Sequence, residues 1–252
     1  MISKNHLKHL ASLKQAKFRK EHKEFIVEGE KMVAELLKSP FRIKSVYGVV
    51  EWMQENASKF AKISTEEITQ KDLERISSLK TPNKVLALVE IPIQQEIKNP
   101  SKGLHLILDT IQDPGNLGSI IRTADWFGIE NIYCSKDTVS FYNPKVIQST
   151  MGSFARVKVF YTELVKLLEQ NIDLQVFGSL LDGENIFKKK LDQNVFLIIG
   201  NESKGISNEV QAFIDQKVKI PSFAINESDQ AESLNAALAT AILCAEFRKQ
   251  SN

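Results

Sequence analysis

Apolar positions in the first two dozen residues recur at helical spacing. Leu7, Leu10, Leu13 and Phe18 stand among lysines, which predicts helix over residues 4–23. The pattern then shortens. Phe25-Ile26-Val27 reads as a strand, Glu28-Gly29 as a turn, and Lys31 to Lys38 as a helix. That helix is closed by Ser39-Pro40, because proline disfavours helix in the residue before it. Ile43 to Val50 reads as a strand, Trp52 to Phe60 and Leu73 to Ser78 as helices, and Val85 to Val89 as a buried strand. Residues 92–103 carry Pro92, Pro100 and Gly103 and no periodicity, and read as a linker. Beyond it the rhythm changes. Strands are predicted at Leu104–Leu108, Asn131–Cys134, Val157–Phe160, Leu174–Phe177, Val195–Ile199 and Lys217–Ile220, with helical patterns between most of them.

Several of these strands are apolar throughout, as strands covered on both faces are. Alternation of strand and helix predicts an α/β fold with a mostly parallel sheet. Three segments follow: a small α/β domain over 1–91, the linker over 92–103, and a larger α/β domain over 104–252. Asp109 and Gly200 fall just past strand carboxyl ends, where open α/β sheets bind ligands.

Charge refines this picture. The chain carries a net +2, but residues 1–24 hold seven Lys or Arg against two Glu, so a basic arm precedes a slightly acidic body. Such an arm fits contact with a polyanion, and equally a solvated amphipathic helix. No apolar stretch approaches the roughly 20 residues that span a membrane, and the N-terminus lacks the apolar core of a signal peptide. Two cysteines, Cys134 and Cys244, make no disulfide framework and suit reduced, packed thiols in a cytoplasmic protein.

Three stretches carry candidate chemistry. FLIIGNESKGIS (196–207) has the look of a phosphate loop, but Lys204 precedes Gly205 and Ile206 stands where a P-loop needs its lysine. DPGNLGSIIRTADWFGI (113–129) opens on a turn, with Asn116 as a helix cap, and places Arg122 on an apolar helix. That arginine is either a cation reaching solvent along its stem or a site residue. IPSFAINESDQAESLNAALATAI (220–242) ends a strand and opens an alanine-rich helix at Ser233-Leu234-Asn235. No G-x-G-x-x-G follows a strand, which argues against a Rossmann-type nucleotide enzyme.

In this order and spacing the three stretches resemble the SpoU (TrmH) family of the SPOUT RNA methyltransferases, and the resemblance extends over the whole chain. SFYNPKVIQSTMGSFARV resembles the family's connecting segment, and FIVEGEKMVAELL the entry of its RNA-binding domain. The resemblance implies a C-terminal sheet whose last segments thread into a deep trefoil knot. It implies S-adenosylmethionine as cofactor, bound by backbone groups at Gly200, Ile220 and Leu234, with Ser179 and Leu180 as another edge. Asn116, Arg122, Glu202, Ser233 and Asn235 match catalytic and site positions. Arg122 would hold a phosphate and stabilise a ribose 2′-alkoxide, Asn116 and Glu202 would orient it, and Ser233 and Asn235 would shape the donor pocket or position the ribose. Arg156 would stand near the site. The implied partners are ribosomal or transfer RNA and a second copy of the chain, with no metal and no membrane. One departure is the loop 222–232, which is longer and more acidic than in many relatives. The competing expectation is an RNA-binding or ribosome-associated protein that keeps the fold without turnover.

Overall fold

The computed structural model describes residues 2–93, 100, 102–224 and 232–250. Two compact units result. The first comprises residues 2–93 together with Ser140–Ala155, and the second holds the other described residues.

The first unit opens with helices α1 (Lys4–Ser12) and α2 (Ala16–His22), followed by β1 (Glu24–Glu28), α3 (Glu30–Leu36), β2 (Ile43–Gly48), α4 (Val50–Asn56), β3 (Ser64–Glu67), α5 (Gln70–Ile76) and β4 (Val85–Glu90). Its sheet has the order β1-β4-β2-β3. The helix expected over residues 4–23 is interrupted after Leu13. Arg19, only 4% exposed, turns its guanidinium back onto the carbonyls of Leu13 and Lys14 at 2.9 and 2.7 Å and so satisfies the end of α1. Burial lowers the pKa of that guanidinium. Strand β3 has no apolar signature because it lies at the sheet edge, paired only with β2, where charged side chains are favoured. Leu10, Leu13, Ile26, Tyr47, Leu73 and Leu86 share this unit's core.

The second sheet is built from β5 (Leu104–Leu108), then α6 (Pro114–Trp126), β6 (Asn131–Cys134), α7 (Pro144–Ser149), β7 (Lys158–Tyr161), α8 (Leu164–Glu169), β8 (Gln175–Asn185), β9 (Val195–Ile199), α9 (Asn208–Gln211), β10 (Gln216–Lys219) and α10 (Ala236–Lys249). Of these, α7 packs with the first unit. All six strands run parallel in the order β10-β8-β9-β5-β6-β7. Ile107, Tyr133, Phe196 and Ile198 are buried in its core, as their continuous apolar runs foretold. Both cysteines are buried free thiols.

Segment Ser140–Ala155 is joined to the first unit by aromatic rings. Phe25 meets Tyr142 at 4.9 Å between ring centres, and Phe41 meets Phe141 and Phe154 at 6.5 and 6.0 Å. Gly152, at φ 104°, lets the backbone approach Glu35, where a Cβ would come within 2.8 Å of that side chain.

Candidate active site

From β5 the second sheet adds β6 and β7 on one side and β9, β8 and β10 on the other. The winding therefore reverses between β5 and β9, and a crevice forms outside their carboxyl ends. Asp109 and Gly200 are the residues that follow those two strands. Asp109, 4% exposed, continues the ladder by donating its N–H to the Ile199 carbonyl at 2.9 Å. Its carboxylate accepts the N–H of Ser207 at 2.8 Å and so ties the far end of the next loop to β5.

That loop is a closed hairpin. Asn201 and Gly205 exchange both backbone hydrogen bonds, at 3.0 and 2.8 Å. The Asn201 side-chain oxygen accepts the N–H groups of Ser203 and Lys204, an Asx-type turn, while its amide donates to the Thr110 carbonyl at 2.9 Å. Gly205 sits at φ 69°. A Cβ on Gly200 would lie 2.4 Å from the Gly205 carbonyl carbon and 2.5 Å from the Ile206 nitrogen, so only glycine closes this turn. Sequence reasoning missed Asn201 and Thr110 as organisers. The signal was present as an Asn two residues before the Ser-Lys-Gly turn.

The expected cap of α6 is corrected by the structure. Asp113 is the N-cap, with Pro114 in the first turn, and its carboxylate accepts the Asn116 N–H at 2.8 Å. The Asn116 side chain is thereby released for other contacts. Its amide donates to Glu202, and its oxygen accepts from the Asn235 amide at 2.8 Å. The Asn235 oxygen accepts the N–H groups of Ala237 and Leu238 at 3.0 and 3.3 Å and caps α10. Both amide orientations follow from this chain: the Asn235 oxygen is committed to the helix, so its nitrogen faces Asn116, and the Asn116 nitrogen must face the carboxylate. Asn116, Glu202 and Asn235 thus come together from three separated stretches.

Beside this network lies an open cleft of about 1120 Å³. All five expected donor-binding residues line it: Ser179, Leu180, Gly200, Ile220 and Leu234; Glu202 and Ser233 line it as well. An irregularity in β8 delivers the first two. Against β10 its register jumps from Gly178, paired with Lys217, to Glu184, paired with Val218, so residues 179–183 lie outside the ladder and Ser179 to Asp182 face the cleft. Ile199, Ile220, Leu180 and Leu234 supply apolar wall.

Arg122 stands outside the hydrogen-bond network. It is exposed and has no hydrogen bond or ion pair among the described residues. Six residues beyond Asn116 on one helix, it points roughly 120° away around the axis. The expected contact of Asn116 and Glu202 with Arg122 is therefore not made within one chain. One turn further along α6, Asp125 accepts a forked contact from Arg156, with Nε at 3.0 Å from both carboxylate oxygens. Trp126, 84% exposed, lies on the same turn. Among the described residues no group of three or more His, Cys, Asp or Glu is placed to hold a metal ion, and no helix is long and apolar enough to cross a membrane.

The sequence model described as "SpoU rRNA Methylase family" matches residues 103–245, and the "MRM3-like substrate binding domain" model matches residues 4–87. The 23S rRNA (guanosine(2553)-2′-O)-methyltransferase RlmP of Bacillus subtilis is 29% identical over 89% of this chain and 88% of its own. Among solved structures, a putative RNA methyltransferase of the TrmH family from Porphyromonas gingivalis superposes with a TM-score of 0.86 at 35% identity, over 99% of each chain. An AdoMet-bound rRNA methyltransferase from Sinorhizobium meliloti superposes with a TM-score of 0.86 at 26% identity, over 99% of this chain and 96% of that one.

Proposed function

The chain belongs to the SpoU rRNA methylase family, and from that membership we propose that it transfers the methyl group of S-adenosylmethionine to a ribose 2′-oxygen in ribosomal or transfer RNA. The observation that carries this is the hydrogen-bonded line Asn116–Glu202–Asn235 at the edge of the cleft. It unites the three stretches on which the sequence resemblance rested.

The cleft's chemistry fits the donor. Glycine at position 200 lets the 200–205 hairpin fold tightly back on itself, and this hairpin forms one wall of the cleft. The apolar side chains of Ile199, Leu180 and Ile220 suit the faces of a purine, and Ser179 and Ser233 add polar groups. Gly200, Ile220, Leu234, Ser179 and Leu180 would hold the donor. When bound, it supplies an electrophilic sulfonium methyl.

The remaining work falls to side chains. A guanidinium is a planar cation with five N–H donors and no acceptor. Arg122 therefore acts on charge: it holds the phosphate beside the target ribose and stabilises the developing 2′-alkoxide. Asn116, Glu202 and Asn235 form a rigid edge against which the sugar is aligned with the methyl group. We infer that the working species is a homodimer. Trp126 and Leu238, on the paired helices α6 and α10, are 84% and 59% exposed, a large apolar investment for a free surface. In such a pair Arg122 of one copy would find its partners in the cleft of the other. The basic arm and the first unit would hold the RNA through its phosphates. Threading of the last segments as a trefoil knot, supported by the placement of β8 and β9 between β10 and β5, and a cytoplasmic location, supported by the two reduced thiols, complete this reading.

The test is transfer of labelled methyl from S-adenosylmethionine to RNA from cells lacking the gene, followed by mapping of 2′-O-methyl nucleosides. Labelled product that disappears in Arg122→Ala is expected. RNA binding without methylation of any RNA pool would instead favour a scaffold protein.

A further inference from the structure

A smaller cavity, of about 180 Å³, lies wholly among residues of the first unit. Glu28, the last residue of β1, forms part of its wall and is only 7% exposed. Its carboxylate accepts the Ser77 hydroxyl and, at 2.8 Å, the Ser78 N–H. A carboxylate offers about four lone-pair sites, so two remain for a ligand. Ile26 and Leu79 form apolar wall, and α7 contributes Pro144 and Ile147. Lys145, exposed, stands at the rim. The cavity exists because Ser140–Ala155 packs into this unit.

We propose that this cavity seats one unstacked guanine base of the RNA substrate, an assignment that rests on the RNA-modifying function above. Its volume is well below the roughly 300 Å³ of a drug-sized pocket, and suits a single planar ring system. A carboxylate in the wall repels phosphates and carboxylates and asks for a donor. Among the four RNA bases only guanine presents two adjacent N–H donors, N1–H and the 2-amino group, to one carboxylate. Apolar walls cover the ring faces, and single-stranded RNA is read by such stacking together with hydrogen bonds to the base edge. The Lys145 ammonium at the rim meets the backbone phosphate that follows the base into place.

Short oligouridines carrying one central guanosine, inosine or adenosine, titrated against the full chain by fluorescence anisotropy, decide the matter. The guanosine probe should bind about tenfold more tightly than the inosine probe, which lacks the 2-amino group, or the adenosine probe. Ser78→Trp, which fills the cavity from an exposed position, should erase the difference, as should Glu28→Gln, while S-adenosylmethionine affinity measured by calorimetry stays unchanged in both. Equal affinity for the three probes, or a preference that survives both substitutions, would overturn the assignment. Methyl transfer to ribosomal RNA by the same preparation reports separately on the parent function, so a base preference without transfer, or transfer without a preference, identifies which of the two has failed.

Discussion

Asn235 donates a hydrogen bond to Asn116 at 2.8 Å although 119 positions separate them along the chain. The same amide group caps α10 through its oxygen. Two duties on one side chain can be separated by substitution. Aspartate caps a helix as well as asparagine does, but it has no N–H to give Asn116 and brings a second negative charge toward Glu202. Asn235→Asp should therefore keep its melting temperature near wild type and lose at least about tenfold in methyl transfer. Asn235→Ala should lose both transfer and about 1 kcal/mol of stability. Thermal unfolding and labelled transfer on the same samples check this, and full activity in the aspartate variant would show the bond to be dispensable.

Arg122 is expected to act at the transition state and not in donor binding. Arg122→Ala should lower kcat by about 10²–10³-fold, with S-adenosylmethionine affinity unchanged. Arg122→Lys should recover little, because an ammonium lacks the planar fork. A variant that instead shows a raised KM for RNA at unchanged kcat would limit the residue to RNA capture.

The two glycines of the 200–205 hairpin should fail differently. At Gly200 a methyl group collides with backbone, so Gly200→Ala must open the turn. A loss of donor affinity and of roughly 1–3 kcal/mol in stability is expected. At Gly205 there is open space but a left-handed φ, so Gly205→Ala carries only the conformational cost of about 1–2 kcal/mol. Donor calorimetry and urea unfolding distinguish the two.

Acid sensitivity should trace in part to Glu24. Burial alone would raise its pKa, but hydrogen bonds from Lys44 and His9 outweigh that and hold it below the usual carboxylate value. A carboxylate depressed in the folded state stabilises the fold above its unfolded pKa, and that contribution is lost as pH falls through the folded value. Glu24→Gln should therefore flatten the decline in urea midpoint as pH falls below the ordinary carboxylate range. An unchanged acid limb would remove Glu24 from the account.

The central strands β5, β6 and β9 were located well because they are covered on both faces, so that a run such as Val195–Ile199 is apolar throughout and too short for a typical helix. Strand β3, with the sequence Ser-Thr-Glu-Glu, stayed illegible because an edge strand is selected for charge. The break between α1 and α2 is closed by Arg19 reaching back six and five residues to two carbonyls, a contact that the spacing of apolar residues does not register. At the site, the family resemblance of three stretches singled out Asn116, Glu202 and Asn235. Their order of hydrogen bonding was hidden, since it follows from Asp113 taking over the cap of α6. Of the cleft-lining run Ser179 to Asp182, the family resemblance named Ser179 and Leu180; Leu181, Asp182 and the register jump that presents all four were not legible.

The rings of Phe141, Tyr142 and Phe154 have a practical consequence for dissecting the protein. A cut between residues 93 and 102 separates the polypeptide at one place only, because the downstream fragment still carries the aromatic plug that fits against Phe25 and Phe41. Such fragments should stay together through a gel-filtration column, and an N-terminal piece expressed alone would leave those two rings without their cover.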